Sequence, residues 1–376
     1  MKNIQEEMKL IYIICVRNFI SSFFHVYGKC RIGLITLEEE ILKMNKAKKI
    51  AALALSAFML AACGGNAPAE NGGDATEGET ASIGILQYAE HPALDQATAG
   101  FEDYLVSQGY SKDSFDYKNA QGDQSNCVTI AQTFVNGKKD LIYAVATPAA
   151  QAVANETSDI PIIISAVTDP ASSGLVESNE KPGTNVTGSS DLTPVEAQLE
   201  LLKEILPETS KIAIMYCNAE ENSKFQADLA KKTCDEIGLE YQEATVTDSN
   251  QIQQVVESLI GKVDAIYVPT DNLLAEGMAT LAQVANENGI PTMVGEEGMV
   301  ENGALITKGL DYYELGQLAG QQAVAILKEG KKAADLAVEY IPSDKCKIVI
   351  NKETMEKLGV EIPEEIMSQA EVVGAE

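Results

Sequence analysis

The sequence predicts an α/β protein with two doubly wound parallel-sheet lobes and a cleft between them. Three observations carry this. From Ser82 onward, short β-branched apolar runs alternate with amphipathic helical stretches. The strand runs are apolar almost throughout, as in sheets covered on both faces by helices. The alternation also occurs twice, in two sets of nearly equal length that meet near Asp191.

The first set opens with a strand at Ile83–Gln87 and a helix near Ala93–Ser107. A strand at Ser114–Asn119 follows, then a helix after Asp123 in which Val128, Ala131 and Val135 recur at helical spacing. Leu141–Val145 leads into a helix over Pro148–Glu156, Pro161–Ala166 into a turn at Asp169–Leu175, and Thr184–Ser189 closes the set. Thr193-Pro194-Val195-Glu196 then reads as a capping box, with threonine at N-cap, proline at N1 and glutamate at N3. The second set places strands at Lys211–Tyr216, Glu240–Val246, Ala265–Val268, Pro291–Val294 and Ala304–Lys308. Helices lie between them near Ser223–Ile237, Gln251–Ile260 and Asn272–Asn288, with a short turn after Gly295. A long helix at Asp311–Lys328 and late strands at Val338–Ile341 and Ile348–Ile350 complete the pattern.

Composition narrows the function. The chain has 376 residues, 45% hydrophobic and 22% charged, which is globular, and a net charge of −28. Such a charge excludes a general nucleic-acid binder, which needs a basic face. Two histidines, His25 and His91, cannot build a multi-histidine metal centre, and no metal or cofactor is expected. The charge is uneven: residues 1–62 hold nine Lys/Arg and five Asp/Glu, and the rest hold 19 and 51. Both arginines, Arg17 and Arg31, lie in the first part.

The N-terminal part reads as an address. Lys46, Lys48 and Lys49 precede an apolar run of 11 residues, Ile50 to Leu60, too short for a permanent span and suited to a signal peptide. Leu60-Ala61-Ala62-Cys63 looks like a lipobox, which implies cleavage before Cys63 and its acylation. Residues 44–62 are thus the expected signal peptide and 63–81 a flexible, acidic tether. A signal belongs at the start of a chain, so Met44 is the expected start and 1–43 an upstream extension. Glu38-Glu39-Glu40, a purine-only codon run just before Met44, favours this over a further leader around Leu10–Phe24.

In open parallel sheets, ligands bind beyond the carboxyl ends of the strands. In the first set those positions hold Gln87, Tyr88 and Glu90, then Thr147, then Thr168 and Asp169, then Ser189 and Asp191. In the second set they hold Asn218, Glu220, Asn222 and Ser223, then Thr270 and Asn272, then Glu296. Hydroxyls, amides and carboxylates dominate and suit both ends of a small zwitterion. With no arginine after Cys63, a ligand carboxylate is expected on the N–H groups of helix starts at Thr147, Ser189-Ser190 and Asn222-Ser223. Its ammonium is expected on Asp191 or Glu220. Asp169, Asp191 and Asp271 are equally good helix caps. His91 with Cys217 would be the one nucleophile pair, but they fall in opposite lobes, and no enzyme activity is expected. Cys217 and Cys234 are separated by a helix of roughly 18 Å, beyond the roughly 7 Å limit of a disulfide. Free thiols are therefore expected at Cys127, Cys217, Cys234 and Cys346.

Seven segments in order, IGILQYAEHPALD, ATPAAQAV, VTDP, TNVTGSSD, NAEENS (Asn218 to Ser223), PTDN and VINKETMEKLGVEIP, resemble the lipoprotein substrate-binding subunits of ABC importers, in particular the tryptophan/tyrosine-binding group. Each motif is short, but their order and spacing cover nearly all of Ser82–Glu371. The resemblance implies a type I periplasmic-binding-protein fold with three crossovers and closure on the ligand. It divides the chain into an N-terminal lobe of 82–191 plus 311–340 and a C-terminal lobe of 192–310 plus 341–376. It implies an extracytoplasmic, lipid-anchored protein that passes a small solute, an aromatic amino acid above all, to a membrane permease. A sensing lipoprotein, or a sugar or nucleoside binder, would use the same fold. Only Tyr88 and Tyr216 stand where a sugar would stack.

Overall fold

The computed structural model describes residues 81–374. The expected upstream extension 1–43, signal peptide 44–62, Cys63 and the tether as far as residue 80 lie outside the described residues.

The first sheet is built from β1 (Ile83–Gln87), β2 (Phe115–Asn119), β3 (Leu141–Val145), β4 (Ile162–Ser165), β5 (Val186–Ser190) and the late strand β11 (Glu339–Tyr340), in the order β11-β5-β4-β3-β1-β2. Every pairing in it is parallel. The helices α1 (Pro92–Ser107), α2 (Gln124–Asn136) and α3 (Thr147–Glu156) connect these strands. The second sheet holds β6 (Lys211–Cys217), β7 (Glu240–Val246), β8 (Ala265–Val268), β9 (Thr292–Val294), β10 (Ile306–Gly309), β12 (Lys347–Asn351) and β13 (Glu371–Val373), in the order β13-β12-β10-β9-β8-β6-β7. Its first five strands repeat the order of β1 to β5, so each lobe reverses direction beside its first strand. That reversal opens the crevice in which such sheets bind ligands.

The apolar runs bury as their composition demands. β1 and β3 are buried along their whole lengths, and one continuous core surrounds the first sheet. In the second lobe, α4 (Val195–Ile205) and α5 (Glu221–Ile237) cover one face. The helices α6 (Ile252–Leu259), α7 (Asn272–Glu276), α8 (Met278–Glu287) and α9 (Glu297–Glu301) cover the other. α10 (Tyr312–Leu327) returns to the first lobe, where Leu315, Ala319 and Ala323 join its core. There α10 meets α1 backbone to backbone. A Cβ added to Gly316 would lie 2.0 Å from the Ala97 carbonyl oxygen, and one on Gly100 would lie 2.1 Å from that of Tyr313. The chain therefore passes between sheets three times: after β5, after β10 and after β11.

Four expectations need correction. The capping box does not form: Pro194 takes the N-cap position of α4 without a side-chain cap, and the Thr193 hydroxyl turns to Gln226 instead. The single helix expected over Asn272–Asn288 is two, broken at Gly277, where a Cβ would strike Ile252 Cδ1 at 2.2 Å. The second sheet is not wholly parallel, because β12 runs antiparallel to β10. Finally, α11 (Lys352–Leu358), α12 (Glu364–Met367) and β13 lie beyond the last element expected. They are short, polar elements made stable by docking, which local periodicity under-reports.

Candidate functional site

The strand ends of the two lobes face one another. Between them lies a narrow cavity lined by His91, Leu94 and Ala166, by Asp191 and Tyr312, by Asn222, and by Thr270, Asp271, Asn272, Ala275 and Glu296. Its free volume is about 10 Å³, the room of roughly one water. A larger open groove of about 590 Å³ runs along the first and third crossovers against the helices at 195–205 and 221–237, and one of about 480 Å³ lies on the helices at 252–259 and 278–287.

Lobe 1 presents its backbone here under strain. Ala146, after β3, and Ala166, after β4, have φ of +81° and +55°, a region that non-glycine residues avoid. The turn at Ala146 starts α3, whose first residue Thr147 is buried with its hydroxyl unpartnered. From β5, Asp191 accepts from Thr168 Oγ1 at 3.1 Å and from Tyr312 Oη at 2.9 Å. Burial nevertheless pushes the Asp191 carboxyl up.

Lobe 2 supplies a carboxylate cluster. Asp271 caps α7, accepting from Leu274 N at 2.9 Å and from Cys217 N at 2.6 Å. Glu220 Oε2 accepts from Asn222 Nδ2 at 3.3 Å and Asn272 Nδ2 at 2.5 Å. Burial, with Asp271 alongside, raises the Glu220 carboxyl well above its ordinary range, and burial raises that of Asp271 too. Glu296 caps α9 through Gly298 N and Met299 N, and burial pushes it up to about 7. These four acids are each no more than 5% exposed. No lysine lines the cavity, and among the described residues none forms an ion pair with them.

Beside the cavity two links cross between the lobes, and farther out Lys347 Nζ of β12 lies 3.4 Å from Asp311 Oδ2 at the start of α10. Gln226 Nε2, on α5, donates to Thr168 Oγ1 of lobe 1 at 3.2 Å and to the Thr270 carbonyl at 2.9 Å. His91 Nε2 meets Asn272 Oδ1 at 3.4 Å. Burial lowers the His91 imidazole to about 4, so it is neutral at pH 7. Among the described residues, His91 Nδ1 and Asn222 Oδ1, both on cavity-lining residues, find no hydrogen-bond partner, nor does the buried Thr147 Oγ1 at the start of α3.

Of the residues expected from strand ends, Asp191, Asn222, Thr270, Asn272 and Glu296 line the cavity. Thr168, Glu220 and Ser223 stand one hydrogen bond behind it. Tyr88 is buried near Glu220 and Asp271 and donates to the Gly122 carbonyl. The remaining side chains are spent elsewhere. Gln87 ties β1 to α1 through Asp95 and Thr98. Asp169 closes its own turn on Ser172 N and Asn179. Ser189 bonds the Leu315 carbonyl of α10, and Glu90 and Asn218 are exposed. Outside the expected set, His91, Leu94, Ala166, Asp271, Ala275 and Tyr312 also line the cavity, and Gln226 stands behind it. Gln226 was legible in principle, one helical turn beyond Asn222 on the same face of α5. Tyr312 was not, because only the second crossover brings it beside Asp191.

The four cysteines Cys127, Cys217, Cys234 and Cys346 are free. Burial pushes the Cys217 thiol up to about 12, and His91 turns to Asn272, so the two make no activated nucleophile. Among the described residues, no group of His, Cys, Asp and Glu is arranged to hold a metal ion.

The family model for ABC transporter substrate binding proteins matches residues 82–373. The chain is 43% identical over 329 residues to a tyrosine-binding protein of Clostridioides difficile, covering 85% of this chain and 94% of that protein. Among solved structures, an ABC domain from Streptococcus pneumonia in complex with L-Trp superposes with a TM-score of 0.75 at 38% identity, covering 78% of this chain and 100% of that one. A ligand-free, open substrate-binding protein from Clostridium difficile gives 0.62 at 42% identity, covering 79% and 100%.

Proposed function

The chain belongs to the ABC transporter substrate binding protein family, and from that premise we propose that it captures an aromatic amino acid between its lobes and releases it to a membrane permease, with no chemistry of its own. One observation carries the ligand's charge. Asp191, Glu220, Asp271 and Glu296 are buried round one cavity without a cation among them. Isolated buried carboxylates are costly, and an ammonium group is the partner that relieves them. The ligand carboxylate then falls to Thr147 and the start of α3, because no arginine follows Cys63. The aromatic side chain is supported by what the relatives bind, tyrosine in one case and L-Trp in the other.

The cavity is far smaller than an amino acid, so entry requires the lobes to part about the three crossovers. The better superposition on the liganded relative than on the open one agrees with a closed arrangement here. Acylation at Cys63 would tether the protein to the extracytoplasmic face of the membrane, several acyl chains holding where one would not. A thermal-shift screen of the protein amino acids tests the reading, since a specific ligand stabilises the native state. L-tyrosine or L-tryptophan should raise the melting temperature in a concentration-dependent way. A response to sugars or nucleosides alone would replace this reading with another.

A further inference from the structure

Resting on the reading just given, we infer that His91 is the residue that reads the ligand's side chain, accepting a hydrogen bond from a phenol O–H or an indole N–H on its Nδ1. His91 sits at the N-cap of α1, yet its side chain caps nothing. It is 7% exposed, it lines the cavity, and its Nδ1 has no protein partner.

A chain of bonds fixes which nitrogen is bare. Glu220 Oε2 accepts from both Asn222 Nδ2 and Asn272 Nδ2. The Asn272 amide is thereby oriented with its Oδ1 toward His91. The imidazole must then carry its proton on Nε2 to donate to that oxygen, which leaves Nδ1 an acceptor. Asn222 Oδ1, from the other lobe, is a second bare acceptor on the same cavity. The site therefore asks its ligand for donors.

Charge decides how those donors are distributed. An ammonium is held best by a carboxylate, and four buried carboxyls stand on or just behind this cavity, so it is drawn to one of them and stabilises its ionised form. The neutral imidazole nitrogen is left for a neutral donor at the far end of the ligand. Tyrosine and tryptophan carry such a donor and phenylalanine does not. A buried acceptor left without its hydrogen discriminates strongly against the analogue that lacks it.

The test is calorimetric titration of the wild type, His91→Phe and His91→Gln with L-tyrosine, L-tryptophan and L-phenylalanine. In the wild type, phenylalanine should bind at least about tenfold more weakly than tyrosine. His91→Phe should erase most of that preference by weakening tyrosine and tryptophan, and His91→Gln, which keeps an acceptor oxygen, should restore part of it. An equal loss for all three ligands would put His91 on the ammonium and overturn the inference. Unchanged tyrosine affinity would overturn it as well. A wild type that binds none of the three would remove the amino-acid reading and this inference together. A second readout survives a variant that fails to fold. In the ¹⁵N-histidine-labelled wild-type chain, with His25 assigned through His25→Gln, His91 Nδ1 should be unprotonated at neutral pH and shift when L-tyrosine is added. A proton on Nδ1 in the free protein would overturn the inference.

Discussion

The Tyr312 hydroxyl donates to the Asp191 carboxylate at 2.9 Å, across 121 residues of sequence. Asp191 follows β5 at the first crossover, and Tyr312 opens α10 after the second. The bond therefore ties two of the three connections between the lobes at the point where a ligand ammonium would arrive. Asp191→Ala should weaken L-tyrosine binding by at least roughly tenfold, because losing one buried partner of a charged group costs about 2–5 kcal/mol. Calorimetry on the folded variant decides. An unchanged affinity would take Asp191 out of the site.

Gln226 is the lobe 2 residue that grips Thr168 of lobe 1. Gln226→Ala removes this link and leaves the Thr168 and Thr270 partners short, which favours the parted lobes. Small-angle scattering should then give a larger radius of gyration for the ligand-free variant than for the wild type. Adding L-tyrosine should shrink a parted form, and a radius indifferent to both mutation and ligand would count against hinge closure.

The pH dependence of stability has a defined sign at Glu296. Burial pushes its carboxyl from the ordinary 4.5 up to about 7. Between those values the folded protein holds a proton that the unfolded chain has released, so this group's contribution to stability falls as pH rises through the window. The loss amounts to about 3 kcal/mol above pH 7. His91 acts oppositely, gaining stability as pH rises from about 4 to 6.5, because its buried form is neutral. Glu296→Gln keeps an acceptor for the α9 cap and cannot ionise. Its stability relative to the wild type should therefore improve from pH 4.5 to 7 in urea titrations, and parallel curves would contradict the buried-acid account.

Gly316 meets the Ala97 carbonyl with no room for a methyl group. Gly316→Ala must push α10 off α1, and overpacking of this kind costs about 1–3 kcal/mol. A melting temperature lowered by several degrees, with the cleft residues untouched, is the expected outcome. An unchanged one would mean the two helices separate at no cost.

For the N-terminus, Cys63 is expected as the first, acylated residue of the mature protein, with Met44 as the start. Mass spectrometry of the membrane fraction, with and without globomycin, measures this directly. A mature N-terminus upstream of Cys63 without acyl chains would sink it.

How the fold was legible differs from how the site was. The alternation of β-branched runs and amphipathic stretches placed β1, β3 and β8 at their observed bounds, because a strand buried on both faces must be apolar whatever its neighbours. The rule that ligands gather beyond parallel strand ends brought out Asp191, Asn222, Thr270, Asn272 and Glu296. It could not say which of the polar residues at those ends face the cavity. Gln87 and Asp169 have the same chemistry as the lining residues but satisfy themselves locally, and that choice depends on neighbours eight and ten residues away. The lack of arginine after Cys63, and with it the expectation that a ligand carboxylate is held by helix starts, was set by the sequence alone. The pairing of Tyr312 with Asp191, the reach of Gln226 into lobe 1 and the bare Nδ1 of His91 were decided only by the tertiary structure. Each depends on segments far apart in sequence, brought together by a crossover or by the meeting of the two lobes, and no local periodicity encodes that meeting.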